Sequence, residues 1–115
     1  MSVDEREERL DRAFAALGDP VRRALIARLS RGDATVNELA EPFSITKQAV
    51  SRHLQVLEAA GLITRSRDAQ RRPCHLNAVA LEELTSWIDT YRLFAEQRHR
   101  SMTRLDTLLT RRRGR

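Results

Sequence analysis

The sequence predicts a mainly α-helical fold that carries one small β-hairpin. Apolar residues recur at helical spacing along most of the chain, and proline, glycine and capping residues divide that pattern into separate helices. Only the stretch after Gly61 reads instead as two short strands around a polar turn. At 115 residues the chain has room for one domain, which we expect over residues 1–110.

Composition favours a polyanionic partner. Lys and Arg number 21 against 16 Asp and Glu, which leaves a net charge of +5 and a pI near 10.8. A single cysteine excludes an internal disulfide, and no apolar N-terminal run resembles a signal peptide or a membrane span. We therefore expect a cytoplasmic protein without membrane contact, ending in a disordered basic tail at residues 111–115.

Two helices are predicted in the first third of the chain. Asp4 to Leu17 carries a helical apolar stripe, and the glycine, aspartate and proline at 18–20 stop it. Asp19 is suited to cap the next helix, with Pro20 at its first position, because proline lacks the N–H that this position leaves unpaired. Gly32 is predicted to close that helix.

The next two helices are joined by a short connection. Thr35 and Glu38 form a capping box, in which each side chain satisfies the other's backbone amide, and Pro42 ends the helix they open. Residues 43–45 lead into a helix over Thr46–Gly61, capped by the Thr46 hydroxyl and ended by a glycine that can adopt the left-handed conformation. Two helices separated by a turn of three or four residues predict a helix-turn-helix.

The helix over Thr46–Gly61 has two different faces. Val50, Leu54 and Leu57 line an inward face at helical spacing. The opposite face carries hydrogen-bond donors and no acid, which is the residue set expected where a helix enters the DNA major groove. The alternative is an ordinary solvated polar face. For His53, contact with phosphate and packing beneath the hairpin are equally compatible with the sequence. The predicted DNA contacts on this helix are Thr46, Lys47, Gln48, Ser51, Arg52, His53 and Gln55.

An arginine-rich hairpin follows. Strands over Leu62–Arg67 and Arg72–Asn77 flank the turn-prone residues 68–71, with Ile63 and Leu76 facing inward. Such a ribbon beside a candidate recognition helix predicts a wing that touches backbone phosphate or the minor groove. The alternative is an edge hairpin blunted by charge. The predicted wing contacts are Arg65, Arg67, Arg71 and Arg72.

A long final helix is predicted from an N-cap at Asn77 to about Thr110, over residues 78–110. Its apolar residues recur about every 3.5 positions. A helix of about 33 residues spans about 50 Å, more than so small a domain can cover. A second copy of the chain is the simplest partner, because a two-fold axis lets one apolar patch serve both subunits.

The string TVNELAEPFSITKQAVSRHLQVLEAAGLI, the hairpin end RRPCHLN and the helix start LEELTSWIDTYRLF together resemble the ArsR/SmtB family of bacterial winged helix-turn-helix repressors. The most specific segment is Ala49–Ile63. The resemblance implies a homodimeric repressor or autorepressor built from the first and last helices, with the helix at Thr46–Ala60 in the major groove of an inverted-repeat operator. The expected dimer contacts are Leu10, Phe14, Leu84, Trp87, Ile88, Tyr91, Phe94, Met102, Leu105 and Leu109.

The metal sites of the family are not matched. Metal-sensing members carry a cysteine pair on the helix before the recognition helix, whereas Val36–Ala40 contains no thiol. Asp89 and His99 lie too far apart to share an ion within one chain, and across an antiparallel dimer they supply two ligands where zinc needs about four. Adjacent strand positions point Cys74 and His75 to opposite faces. The chain resembles the branch without metal sites, and no metal or cofactor is expected.

Two other classes of function fit the sequence less well. A protein-interaction module would show an apolar or acidic recognition face, and Lys47 to Gln55 shows neither. An enzyme would need paired carboxylates, a nucleophile with its base, or a phosphate-binding loop, and none occurs at usable spacing. We therefore predict that the chain is not an enzyme; its residues do not identify an effector.

Overall fold

The computed structural model describes residues 2–66 and 72–113. The chain divides into two compact units, one ending at Leu81 and one beginning at Glu82, whereas a single domain was expected over residues 1–110. Five helices and a two-stranded antiparallel sheet are found in the described ranges, consistent with the predicted mainly helical fold. In chain order they are α1 (Val3–Ala16), α2 (Pro20–Leu29), α3 (Val36–Ala40), α4 (Lys47–Ala59), β1 (Ile63–Arg65), β2 (Cys74–Leu76) and α5 (Ala78–Arg113).

Local capping signals set the first two helices. The Ser2 side chain accepts the Glu5 N–H at 3.1 Å, so α1 begins one residue before the predicted Asp4. In α2 the Asp19 carboxylate accepts the Arg22 N–H at 3.0 Å and Pro20 occupies the first turn, which confirms the predicted start. This helix ends at Leu29, three residues before the predicted closing glycine.

The helix-turn-helix is built from two well-capped helices. The capping box at the start of α3 is confirmed, because Thr35 Oγ1 accepts the Glu38 N–H at 3.3 Å and Glu38 Oε1 accepts the Thr35 N–H at 3.2 Å. Thr46 Oγ1 caps α4 by accepting the Ala49 N–H at 3.1 Å. Beyond α4, Gly61 has a φ of 77°, the left-handed conformation predicted for it. Residues 41–46 connect the two helices, a longer connection than the predicted three or four residues.

The hairpin is shorter than predicted, and the two residues predicted to face inward are paired across it. Ile63 lies opposite Leu76, and Arg65 lies opposite Cys74. A further backbone pairing was not predicted: Cys74 donates its N–H to Ala34 O at 2.7 Å, and Ala34 donates its N–H to Cys74 O at 3.3 Å. This bridge ties the segment between α2 and α3 to β2.

Helix α4 lies at the centre of the first unit. It contacts α1, α2, α3 and β1. The predicted inward residues of α4 are completely buried, together with apolar residues from α2, α3 and the start of the hairpin. Burial on this scale fixes the orientation of α4, since each large core side chain contributes roughly 1.5–3 kcal/mol by leaving water. The fully buried leucines and valine are Leu25, Leu39, Val50, Leu54, Leu57 and Leu62.

Helix α5 starts where predicted and ends later. Asn77 Oδ1 accepts the Ala80 N–H at 3.3 Å, and Asn77 Nδ2 donates to Gly61 O at 2.9 Å. The helix continues for 36 residues to Arg113, past the predicted end at about Thr110. Arginine is a good helix former, and its charge is favourable at the negative C-terminal end of a helix. Among the residues described, no helix combines the length and apolar character needed to cross a membrane.

Candidate nucleic-acid interface

The polar side chains on the outward face of α4 are accessible to solvent. Lys47, Gln48, Arg52 and Gln55 are exposed, and Ser51 is half-buried. The opposite face of the same helix is fully buried. Long donor-bearing side chains therefore project from a helix whose backbone is held in place by the core.

The electrostatics at the start of α4 favour an anion. The first turn contains no acidic residue, and Lys47 adds a positive charge to the positive end of the helix dipole. The Thr46 hydroxyl is used as a cap acceptor, but a hydroxyl also has one proton to donate. Glu58, the single acid of α4, lies in the last turn of the helix. Phosphate is therefore attracted to the end of α4 that carries Lys47 and Gln48.

His53 lies at a junction of α4 with α1 and α2, where it contacts Arg22. Its contact with phosphate stays a prediction. Arg22 Nη1 lies 3.2 Å from His53 Nδ1, and Asp19 Oδ2 lies 3.7 Å from the same nitrogen. Arg22 Nε also donates to Ala16 O, the last residue of α1, at 2.6 Å. The His53 side chain keeps 23% of its surface exposed. Sequence reasoning did not single out Arg22, because its contact with His53 joins residues 31 positions apart.

The Asp19 carboxylate is stabilised in its charged form at this junction. The backbone N–H of Arg22 lowers the pKa of Asp19 most, and the nearby His53 and Arg22 charges lower it further. Burial acts in the opposite direction but does not cancel these effects. Asp19 therefore remains an anion that anchors the start of α2 beside α4.

The wing retains one described arginine at its surface. Arg72 is exposed and has a φ of 43°, so it lies in the left-handed turn region just before β2. The predicted contacts Arg67 and Arg71, together with the turn at 68–70, lie outside the described residues.

Arg65, a predicted DNA contact, is half-buried, and its contact with DNA stays a prediction. Its Nε and Nη2 atoms are inaccessible to solvent and have no hydrogen-bond partner among the described residues. Alternate residues of a strand share a face, so Arg65 lies on the inward face with Ile63, opposite the buried Cys74. Burial raises the pKa of the Cys74 thiol, an effect that the Arg65 charge reduces and the Glu58 charge reinforces.

Helix α5 leaves most of its large apolar residues exposed. The rings of Trp87 and Tyr91 lie one turn apart, with centroids 4.9 Å apart and planes tilted by 59°. On α1, Phe14 is 36% exposed and Leu10 is half-buried. Leu84, a further predicted dimer contact, is only 5% exposed within its own chain. The other predicted dimer residues of this helix are exposed: Trp87, Ile88, Tyr91, Phe94, Met102, Leu105 and Leu109.

Comparison with known proteins identifies the family. A family model described as a helix-turn-helix domain matches residues 17–66. The transcriptional repressor SdpR of Bacillus subtilis is 34% identical over 79 residues, which cover 69% of this chain and 88% of SdpR. The crystal structure of the ArsR family transcriptional regulator RHA00566 superposes with a TM-score of 0.72 at 35% identity, over 76% of this chain and 97% of that one. The chain belongs to the ArsR/SmtB family of winged helix-turn-helix transcriptional regulators.

Further relatives agree with this membership. The HTH-type transcriptional regulator Rv2034 of Mycobacterium tuberculosis is 38% identical over 81 residues, covering 70% of this chain and 76% of Rv2034. Mb0332 from Mycobacterium bovis, described as a homodimeric winged helix-turn-helix DNA-binding domain, has a TM-score of 0.62 over 84% of this chain and 93% of that one. At 19% identity the latter likeness shows the shared fold alone. The named relatives are regulators of transcription, a class distinct from enzymes.

Two of the residues considered for a metal, Asp89 and His75, form ion pairs within the chain. The Asp89 carboxylate accepts from Arg92 Nε at 3.0 Å, and Arg92 Nη1 also donates to Glu96 at 2.6 Å. The two carboxylates raise the pKa of Arg92. Cys74 is buried, whereas His75 on the other strand face pairs with Asp33 Oδ2 at 2.7 Å, which confirms that the two adjacent residues point in opposite directions. Within residues 2–66 and 72–113, no three metal-ligating side chains cluster.

Proposed function

We propose that this ArsR/SmtB family member is a homodimeric repressor that binds an inverted-repeat operator with α4 in the major groove. The observation that carries the proposal is the outward face of α4, where Lys47, Gln48, Arg52 and Gln55 are exposed and the first turn has no acid. Donors of this kind suit guanine and adenine edges, and their positive charge suits phosphate. The protein acts by binding, without catalysis, in the cytoplasm where bacterial DNA is found.

Base reading is assigned to the first two turns of α4. Gln48 and Ser51 lie one turn apart near the positive end of the helix, where side chains enter a groove first. Glutamine pairs bidentately with adenine, and serine bonds with any base. Thr46, Lys47, Arg52 and Gln55 surround this pair and are assigned to phosphates or flanking bases.

Backbone contact is assigned to the wing. Arg72 is exposed, and an arginine at this place suits a phosphate because its fork donates two parallel hydrogen bonds. Arg67 and Arg71 are proposed for the same role from the sequence alone. These contacts hold the dimer on any DNA and contribute little to the choice of sequence.

The dimer is assigned to α1 and α5. Large apolar residues are exposed along α5 from Trp87 to Leu109, and clustered exposed apolar residues are typical of a protein interface. A second copy covers these residues symmetrically. The two-fold axis then places two α4 helices about 34 Å apart, one DNA turn, which makes the operator palindromic. The protein's own upstream region is the first place to seek this site.

The test compares one helix variant with one wing variant. Footprinting of the upstream region supplies the cognate site, and affinities for that site and for random DNA are measured at several salt concentrations. Gln48→Ala should weaken cognate binding by about 1–3 kcal/mol and leave random DNA nearly unchanged. Arg72→Ala should weaken both DNAs alike and flatten the slope of log affinity against log salt by about one unit for each half-site.

Two outcomes contradict the proposal. Equal wild-type affinity for upstream and random DNA at moderate salt would remove sequence-specific regulation. Equal losses on both DNAs for Gln48→Ala would remove α4 as the element that reads bases.

A further inference from the structure

Arg22 connects three helices through one guanidinium. Its Nε donates to Ala16 O at the end of α1, at 2.6 Å, and its Nη1 lies 3.2 Å from His53 Nδ1 on α4. Its own backbone N–H donates to the Asp19 carboxylate that caps α2, at 3.0 Å. Arg22 therefore fixes the position of the His53 ring relative to the starts and ends of its neighbouring helices.

The contact with Arg22 determines which nitrogen of His53 carries the proton. A guanidinium has donors and no acceptor, so His53 Nδ1 must accept in this contact. In the neutral ring the proton then lies on Nε2. Asp19 Oδ2, at 3.7 Å from Nδ1, is beyond hydrogen-bond distance and forms an ion pair with the ring only when His53 is protonated.

The Nε2–H of His53 is left as an available donor on the DNA-facing helix. The residues that the structure describes offer it no hydrogen-bond partner, and the ring is partly exposed. His53 follows Ser51 and Arg52 directly in α4. The side chain is short and half-buried, which suits a backbone phosphate at the rim of the groove better than a base edge deep within it.

We propose that Arg22 is a positioning residue that holds His53 in the Nε2–H tautomer, and that this N–H donates to a phosphate of DNA bound by α4. The inference rests on the proposed function for its DNA, but the tautomer is a property of the free protein. Because a neutral donor replaces no counterion, its loss lowers affinity without changing the salt slope. That signature separates His53 from the charged wing arginines.

The first measurement is the tautomer of His53 in the free protein, read from the nitrogen chemical shifts of its ring by NMR. His53 should show a protonated Nε2 and an unprotonated Nδ1. His75 is an internal control of opposite kind, because its Nδ1 lies 2.7 Å from the Asp33 carboxylate and must carry a proton there. In Arg22→Leu the fixed His53 tautomer should give way to a mixture, while His75 is unchanged and reports that the fold is intact.

The second measurement compares two amides at position 53. A glutamine amide nitrogen reaches the position of histidine Nε2, whereas an asparagine amide nitrogen reaches that of Nδ1. His53→Gln should bind DNA within about threefold of wild type, and His53→Asn should lose about tenfold on cognate and random DNA alike, as expected for a hydrogen bond to a charged group. The salt slope should be that of wild type. His99→Asn, on α5, is the matched control and should bind normally.

The outcomes separate this inference from the proposed function. A wild-type protein that does not prefer upstream DNA would contradict the proposed function, while the tautomer remains measurable. If the wild-type protein does prefer upstream DNA, two results would contradict the inference: a proton on His53 Nδ1, or equal binding by the glutamine and asparagine variants.

Discussion

Thr46 provides a test in which the stability of α4 and its attraction for DNA are changed separately. The hydroxyl accepts the Ala49 N–H at 3.1 Å and is the side chain that caps the recognition helix. Thr46→Ala removes this acceptor, so the Ala49 N–H must bond to water instead. Loss of an N-cap threonine costs about 1 kcal/mol, within a range of roughly 0.5–2 kcal/mol.

Aspartate at the same position keeps the cap and reverses the charge. Its carboxylate accepts the same N–H and interacts favourably with the helix dipole, so Thr46→Asp should retain wild-type stability. The added negative charge, at a helix start where Lys47 otherwise attracts phosphate, should weaken all DNA binding by about tenfold at low salt. Thr46→Ser is the matched control, because it keeps both the cap and the charge.

Stability is measured by urea unfolding at one fixed protein concentration, since a dimer's stability depends on concentration. A loss of about 1 kcal/mol corresponds to a fall of about 4–8 °C in Tm for a domain of this size. DNA binding is measured by fluorescence anisotropy on cognate and random duplexes. The reasoning is refuted if Thr46→Ala unfolds at the wild-type urea concentration, or if Thr46→Asp binds DNA as tightly as Thr46→Ser.

Two further predictions concern assembly and pH. Replacing Leu105 and Leu109 together with glutamate should convert the dimer to monomer in sedimentation equilibrium, because both side chains are exposed in one chain and need a partner to leave water; a dimer of unchanged stability would place the interface elsewhere. The pKa of Asp19 is lowered in the folded protein from an ordinary value of 3.8, so its stabilising contribution is complete above that value and is lost as pH falls through the lower folded pKa. Asp19→Asn still caps α2, so its free energy of unfolding, measured with urea, should fall less than that of wild type across this acidic range. Equal falls in the two proteins would contradict the role of the Asp19 charge.

Local sequence was sufficient for the helix-turn-helix and for the faces of α4. The caps at Asp19, Thr35 and Thr46 each satisfy an amide three residues further along, so all the information lies within one turn. Gly61 likewise ends α4 through its own backbone conformation. The burial of Leu54 and its neighbours followed from helical periodicity, which can be read from the sequence of one chain segment.

The inward position of Arg65 was predictable in principle. The sequence placed Ile63 facing inward, and the two-residue period of a strand then places Arg65 on the same face. Strand alternation determines which way Arg65 points, because Ile63 is completely buried and a one-residue slip would expose it.

Only the tertiary structure decided the contacts that join distant segments. The pairing of Ala34 with Cys74 connects residues 40 positions apart by backbone groups alone, which no side-chain pattern records. The contact of Arg22 with His53 depends on how α2 crosses α4, and each residue by itself is typical of a solvated helix surface. Sequence patterns act over one or two turns of chain, whereas these contacts exist only after the core has fixed the angles between helices.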